Sequence, residues 1–260
     1  MSIGVLDSGV GGLSVLREVR RTLPGEHVVY VADSAHAPYG DRDAAFIDAR
    51  VSAIADLLVA HGAKAIVVAC NTATGVAVDG LRQRLHLPVV AIEPAVKPAA
   101  QMTKTGRIGV LATSRTLASD RFRGLVTTHA AGVDVLEQAC PGLVERVEAG
   151  DFSSPETRAL VEGYVGPLRD AGVDVIVLGC THFPFLAPLI TEVAGPGVAI
   201  IDPSAAVARE LARRLDSAGL ASPRAHGGDE TFLTTGDPAL VAPVVSHVWG
   251  SPVQVSTARV

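Results

Sequence analysis

Aromatic residues are scarce in this chain: Phe, Tyr and Trp make up 4% of 260 residues, against 48% hydrophobic residues in all. Its cores must therefore be built from Val, Ile, Leu and Ala. Cysteine is scarcer still, and three residues are too few for a disulfide scaffold. No CxxC or HxxxH spacing occurs, and only Thr181 separates Cys180 from His182, so no metal site is expected. Lys and Arg form no block, and the net charge is -5, which argues against a nucleic-acid or anionic-membrane partner. No apolar run reaches the ~18 residues of a membrane span. The opening MSIGVLDSG has neither a basic nor an apolar leader and enters a strand at once. A cytoplasmic protein with reduced thiols is the expectation.

Short apolar runs alternate with longer segments of helical period, which predicts an α/β fold with mostly parallel sheets. Strands are expected at 3–6, 27–32, 65–69, 89–92, 107–111, 133–136, 173–178 and 198–201. Helices are expected at 12–21, 43–61, 73–85, 117–127, 155–170, 204–218 and 238–249. An internal echo accompanies this alternation. GVLDSG from Gly4 resembles GVLATS from Gly109, and the cysteine of IVVACNT, Cys70, matches that of VIVLGCTH, Cys180. The offsets are nearly equal, 105 and 110 positions. Two similar doubly wound lobes related by a pseudo-twofold are predicted, with the site in the cleft between them and Cys70 facing Cys180. The apolar periodicity lapses near 96–104, where the first boundary is placed.

Ligands of open parallel sheets gather at the carboxyl ends of strands. A thiol there, at a helix start, gains thiolate character from the helix dipole. A lone cysteine in such a place reads equally well as a small buried apolar residue. Two at equivalent positions, each with a hydroxyl residue close behind it, favour chemistry. Cys140 has no counterpart and reads as structural.

The glycine-rich stretch LDSGVGGLSVL after the first strand invites a dinucleotide reading with Asp33 as ribose partner. Ser14 stands where the third glycine should be, and the Asp7 carboxylate would oppose a pyrophosphate. Asp7 suits an ammonium group or acid/base work, or simply caps a turn. The Pro38-Tyr39-Gly40 loop can offer backbone amides to a carboxylate, or be a plain turn. Glu148 and His182 are titratable groups beside predicted loops. Next to a candidate thiol, His182 gains a role as proton relay.

Taken together, LDSGVGGLSVL, PYG, VVACNTAT, IEP, ACPGLVERVEAG, LGCTHFP, IDPS and TTGDP resemble the glutamate racemases, within the cofactor-independent aspartate/glutamate racemase family. The motifs run in that family's order over nearly the whole chain. Phe183 in place of a commoner tyrosine, the polar PGLVERVE segment and Ala37 before PYG are departures from the pattern. The resemblance implies two α/β lobes with the C-terminal segment returning to the first, giving 1–97 plus 207–260 and 98–206. It implies Cys70 and Cys180 as proton donor/acceptors on opposite faces of the substrate α-carbon, assisted by Asp7, Glu148 and His182. Ser8, Asp33, Pro38, Tyr39, Gly40, Asn71, Thr72, Thr113, Ser114, Thr116 and Thr181 fall where the family surrounds its substrate. No cofactor, glutamate as substrate, D-glutamate for peptidoglycan and a homodimer are further implications. Racemisation of aspartate, a two-lobed amino-acid binding protein and a cysteine hydrolase using His182 are the competing readings.

Overall fold

All six residues of the first strand are buried, as befits a parallel strand covered on both faces. The computed structural model describes residues 1–260. From the N-terminus run β1 (Ser2–Asp7), α1 (Leu13–Thr22), β2 (Val28–Ala32), α2 (Ala44–Ala60), β3 (Ala63–Val68), α3 (Asn71–Arg84) and β4 (Val89–Ala91). Then come α4 (Val96–Met102), β5 (Arg107–Ala112), α5 (Ser114–Leu117), α6 (Asp120–His129), β6 (Asp134–Ala139), α7 (Leu143–Glu148) and α8 (Pro155–Asp170). The chain closes with β7 (Val175–Leu178), α9 (Ala187–Ala194), β8 (Ala199–Ile201), α10 (Ser204–Ser217), β9 (Glu230–Thr234), α11 (Pro238–Trp249) and β10 (Val255–Thr257). Short 3-10 turns cover Ser34–His36, Tyr39–Asp41 and Phe183–Leu186. None of the helices is long and apolar enough to cross a membrane.

Two compact units result, residues 1–92 with 204–260, and residues 93–203. The first holds a six-stranded sheet in the order β10-β9-β2-β1-β3-β4, and the second a four-stranded sheet in the order β6-β5-β7-β8. Every strand pairing is parallel. The central order of the first unit, β2-β1-β3-β4, is the order of the second, so the sequence echo corresponds to a repeated topology. The first unit adds β9 and β10 at one edge, with β9 pairing with β2 from Val28 to Ala32. Helix α4 packs on β5, β7 and α6 and so belongs with the second unit.

The helix ends follow local chemistry. Ser154 accepts from Thr157 N and is followed by Pro155, which starts α8 where the sequence pattern places it. Asp237 and Pro238 do the same for α11, which Gly250 ends in a left-handed conformation. The single helix expected at 117–127 is instead two. Thr113 caps α5 by accepting from Thr116 N, and Ser119 restarts the chain as α6 by accepting from Phe122 N. Helices α4, α7 and α9 and strands β9 and β10 are additions to the predicted elements. Each is short, so little periodicity marks it.

In the first unit the aliphatic core joins Ile54 and Leu58 of α2 to Ile66 and Val68 of β3 and Val78 and Leu81 of α3. Each such fully buried side chain contributes about 1.5–3 kcal/mol through burial. In the second, Ile108 and Val110 of β5 pack with Val175 and Val177 of β7 and Phe122 of α6. Both cores consist mainly of aliphatic residues, in keeping with the low aromatic content.

Candidate active site

The expected site residues form two sets, one at the carboxyl ends of the strands in each unit. In the first, β3 runs buried to Val68, and Cys70 follows as the N-cap of α3. Its Sγ accepts from Ala73 N at 3.4 Å and lies 3.7 Å from Ser8 Oγ. The thiol therefore meets both a helix N-terminus and a hydroxyl, an environment that favours the thiolate. Asn71 and Thr72, the first residues of the helix, are buried beside it. Both polar atoms of the Asn71 amide are buried without a hydrogen-bond partner in the protein. A buried amide in this state costs free energy, which a ligand that bonds it recovers.

Asp7 ends β1 and accepts from Gly9 N at 2.9 Å, while Tyr30 Oη donates to Gly9 O at 2.6 Å. The chain turns tightly here because residue 12 is glycine: a Cβ there would stand 2.7 Å from Asp7 Cβ and 3.1 Å from Ala69 Cβ. Asp7 thus caps a turn, the simpler of its two sequence readings, with its carboxylate buried at the strand end.

Asp33 follows β2 and is fully buried. Its Oδ1 accepts from Arg50 Nη2 at 2.8 Å and Thr235 Oγ1 at 2.7 Å, and lies 3.0 Å from His36 Nδ1. Its Oδ2 accepts from Arg50 Nε at 3.0 Å and Tyr39 Oη at 2.6 Å. Burial works against ionisation, but these donors outweigh it and hold the carboxyl below its ordinary range. Tyr39 is buried, and burial together with the Asp33 charge pushes its phenol well above the usual range. Pro38 and Gly40 flank Tyr39, and the Ala37–Pro38 peptide is cis. The loop is fastened by Asp33 rather than left as a plain turn.

In the second unit β7 ends at Leu178, and Cys180 follows Gly179. No long helix begins here, contrary to the pattern expected for both thiols. The 3-10 turn Phe183–Leu186 intervenes before the eight-residue α9. A histidine stands beside the thiol instead. Cys180 Sγ lies 3.7 Å from His182 Nδ1, and His182 Nε2 lies 2.6 Å from Glu148 Oε1. Burial of His182 disfavours its charge, yet its contacts with Cys180 and Glu148 prevail and raise its pKa well above the ordinary imidazole value. Glu148 is the last residue of α7, whose N-cap Gly142 has a φ of 85° that a side-chain-bearing residue rarely adopts.

Thr113 and Thr116 share a 2.9 Å hydrogen bond at the end of β5, with Ser114 exposed between them and Thr181 buried after Cys180. Strand register makes Thr113 the counterpart of Ser8, and Cys140 that of Asp33. Cys140 is buried, donates to Gln138 O at 3.3 Å, and its thiol is pushed far up by burial and by the nearby Cys180. A structural role suits it. No group of three or more His, Cys, Asp and Glu side chains is placed to hold a metal ion.

Two residues of this network, Arg50 and Thr235, are not among the site residues the sequence singles out. Arg50 lies within a helix with no motif around it. Thr235 belongs to the TTGDP stretch, which is part of the family resemblance but whose residue types by themselves suggest only a turn before a helix.

A repeated parallel α/β unit that ends its third strand each time in a buried free thiol defines a class of two-thiol α/β proteins. Within it, the chain belongs to the Asp/Glu/hydantoin racemase family, which it matches over residues 3–211. It is 51% identical over 255 residues to a glutamate racemase of Pseudomonas aeruginosa, covering 98% of this chain and 96% of that protein. Among solved structures it resembles a glutamate racemase isoform of Bacillus anthracis, with TM-score 0.88, 32% identity and coverage of 100% and 97%. It also resembles Escherichia coli glutamate racemase in complex with L-glutamate and the activator UDP-MurNAc-ala, with TM-score 0.87, 33% identity and coverage of 98% and 97%.

Proposed function

We propose that this protein interconverts L- and D-glutamate without a cofactor, using Cys70 and Cys180 as the two acid/base groups. The observation that carries this reading is the pair of buried free thiols at equivalent strand ends, one at a helix N-terminus and one beside a histidine. Racemisation needs a base on one face of Cα and an acid on the other. One thiolate removes the Cα proton while the opposing thiol delivers its proton to the far side. A thiol reference pKa near 8.5 lies close enough to working pH for both steps.

The difficult step is the carbanion beside a carboxylate, which develops a second negative charge. Donors fixed in advance are the most effective answer to such charge. The unpartnered Asn71 amide and the α3 N-terminus supply them in the first unit. In the second, the imidazolium form of His182 supports a Cys180 thiolate and can return a proton to it. Glu148 stabilises that imidazolium. Asp7, a buried carboxylate at the end of β1, is assigned to the substrate ammonium group.

Glutamate is chosen as substrate because relatives named for it match nearly the full chain, the Escherichia coli protein with L-glutamate bound. D-Glutamate for peptidoglycan precursors, a cytoplasmic location and a homodimer complete the proposal. The test is to incubate each enantiomer of glutamate and of aspartate in deuterated water. Loss of optical rotation and deuterium at Cα are expected for glutamate, with Cys70→Ser and Cys180→Ser each slowing turnover by about 10²–10⁴-fold. Exchange that persists in both variants would overturn the two-thiol assignment, and saturable binding without exchange would indicate a binding protein.

A further inference from the structure

The Asp33 carboxylate has no capacity left for a substrate. A carboxylate offers about four lone-pair sites. Arg50, Tyr39, Thr235 and His36 together place five polar contacts on Asp33. They come from four separate places: the turn at 34–36, the turn at 39–41, helix α2, and the residue after β9. Tyr39 carries the arrangement onward. It is buried in the same apolar cluster as Cys70 and Ala73, and α3 packs on the turn at 39–41.

We infer that Arg50, supported by Thr235, is a positioning residue that clamps the Asp33 carboxylate and, through Tyr39, holds the Pro38–Gly40 turn against Cys70. The geometry distinguishes this from a generic buried ion pair. Arg50 meets both carboxylate oxygens through Nε and Nη2, so it sets the rotation of the carboxylate as well as its charge. Tyr39 shares Oδ2 with Arg50 Nε, and Thr235 shares Oδ1 with Arg50 Nη2. A rotation of the carboxylate would break both. The C-terminal return thereby acquires a role at the site. Thr235, 202 positions from Asp33 in sequence, reaches the carboxylate only because β9 adds to β2.

The role of Arg50 in turnover rests on the racemase reading; its hold on the turn does not. Without Arg50, the buried Asp33 carboxyl retains only Tyr39, Thr235 and His36, and protonates as the pH falls. Tyr39 then loses its charged acceptor.

The test compares Arg50→Met, Arg50→Lys, Thr235→Val and His36→Gln with the unaltered chain. One readout is kcat and KM for glutamate across pH. The other is the rate of Cys70 alkylation by iodoacetamide, mapped by mass spectrometry, which needs no turnover. Arg50→Met is expected to lower kcat/KM about ten- to a hundredfold. The loss should fall mainly on KM and deepen toward acid pH, with Cys70 alkylated faster as the turn loosens. Arg50→Lys should recover part of both, and Thr235→Val should show a smaller effect of the same kind. His36→Gln, alone and combined with Arg50→Met, separates imidazole titration from that of the carboxylate. If Arg50→Met does not fold, Arg50→Lys and Thr235→Val decide alone. A pH-independent loss of kcat with unchanged Cys70 alkylation in the folded variants would overturn the inference. An unaltered chain that does not turn over glutamate, with alkylation shifted as described, would sink the racemase reading and leave the clamp standing.

Discussion

His182 and Glu148 meet at 2.6 Å through Nε2 and Oε1, and this contact leaves Nδ1 of the same ring facing Cys180 Sγ at 3.7 Å. A carboxylate thereby orients an imidazole toward a thiol in the second unit. In the first unit the corresponding thiol, Cys70, is served by a helix N-terminus and the Ser8 hydroxyl. Equivalent thiols thus have unlike neighbours, so substitutions around them should differ in their pH signatures.

Glu148→Gln should show this most directly. Losing the carboxylate lowers the His182 pKa, so the imidazolium is lost at lower pH and the alkaline limb of kcat/KM moves toward acid. A loss of about ten- to a hundredfold is expected. Stability should change in step. A His182 pKa raised in the folded state stabilises fully below its ordinary value near 6.5 and loses that contribution as pH rises through the folded value. The stability deficit of the variant, from urea melts, should therefore shrink as the pH is raised above about 6.5. An unmoved pH profile would remove His182 from the mechanism.

Asn71→Leu separates binding from folding. The amide has no protein partner, so a similar-sized apolar replacement should leave stability unchanged or raise it by about 1 kcal/mol. KM for glutamate should rise about tenfold or more, since a hydrogen bond to a charged ligand is lost. A marked fall in melting temperature with normal KM would show that the amide serves the fold.

Cys140 should behave as an inert thiol. Burial, with Cys180 adding to it, keeps it protonated, and its S–H donates to Gln138 O. Iodoacetamide on the native protein should label Cys70 and Cys180 first. Cys140→Ala should retain racemisation at a stability cost of about 1 kcal/mol. Preferential labelling of Cys140, followed through peptide mapping, would contradict this.

Lys64→Met tests a fastening far from the chemistry. Lys64 Nζ sits 2.6 Å from Glu26 Oε2 and donates to Leu220 O at 2.6 Å, while Glu26 Oε1 accepts from Ser222 N at 2.6 Å. Both side chains are buried, so removing one leaves an uncompensated charge, a change that costs about 3–5 kcal/mol. Denaturant titration should show that loss, with kcat for any folded fraction little altered. A shift under about 1 kcal/mol would mean that water or rearrangement rescues Glu26.

Much of the fold is legible in the sequence. Apolar strands separated by amphipathic helices are a local signal, and helix α8 begins at a Ser-Pro pair, itself a local mark of a helix start. Strands β9 and β10 are not legible, because five and three residues carry little pattern and their pairing partners are remote. The break between α5 and α6 turns on one hydroxyl, that of Ser119. At the site, Cys70, Cys180 and His182 stand out by type and place. Arg50 does not, since an arginine in a helix is ordinarily a solvated charge.

The chain by itself determined the repeated alternation and the placing of a thiol after the third strand of each repeat. Both follow from the periodicity of neighbouring residues and from strand ends that adjacent sequence defines. Only tertiary structure decided what each functional group touches. It brought to the buried Asp33 carboxylate the Tyr39 hydroxyl, Arg50 seventeen positions away and Thr235 202 positions away. It also gave one thiol a helix and the other a histidine. Hydrogen bonds and charges act over a few ångströms of space, and the distance along the chain between their partners is set by topology alone.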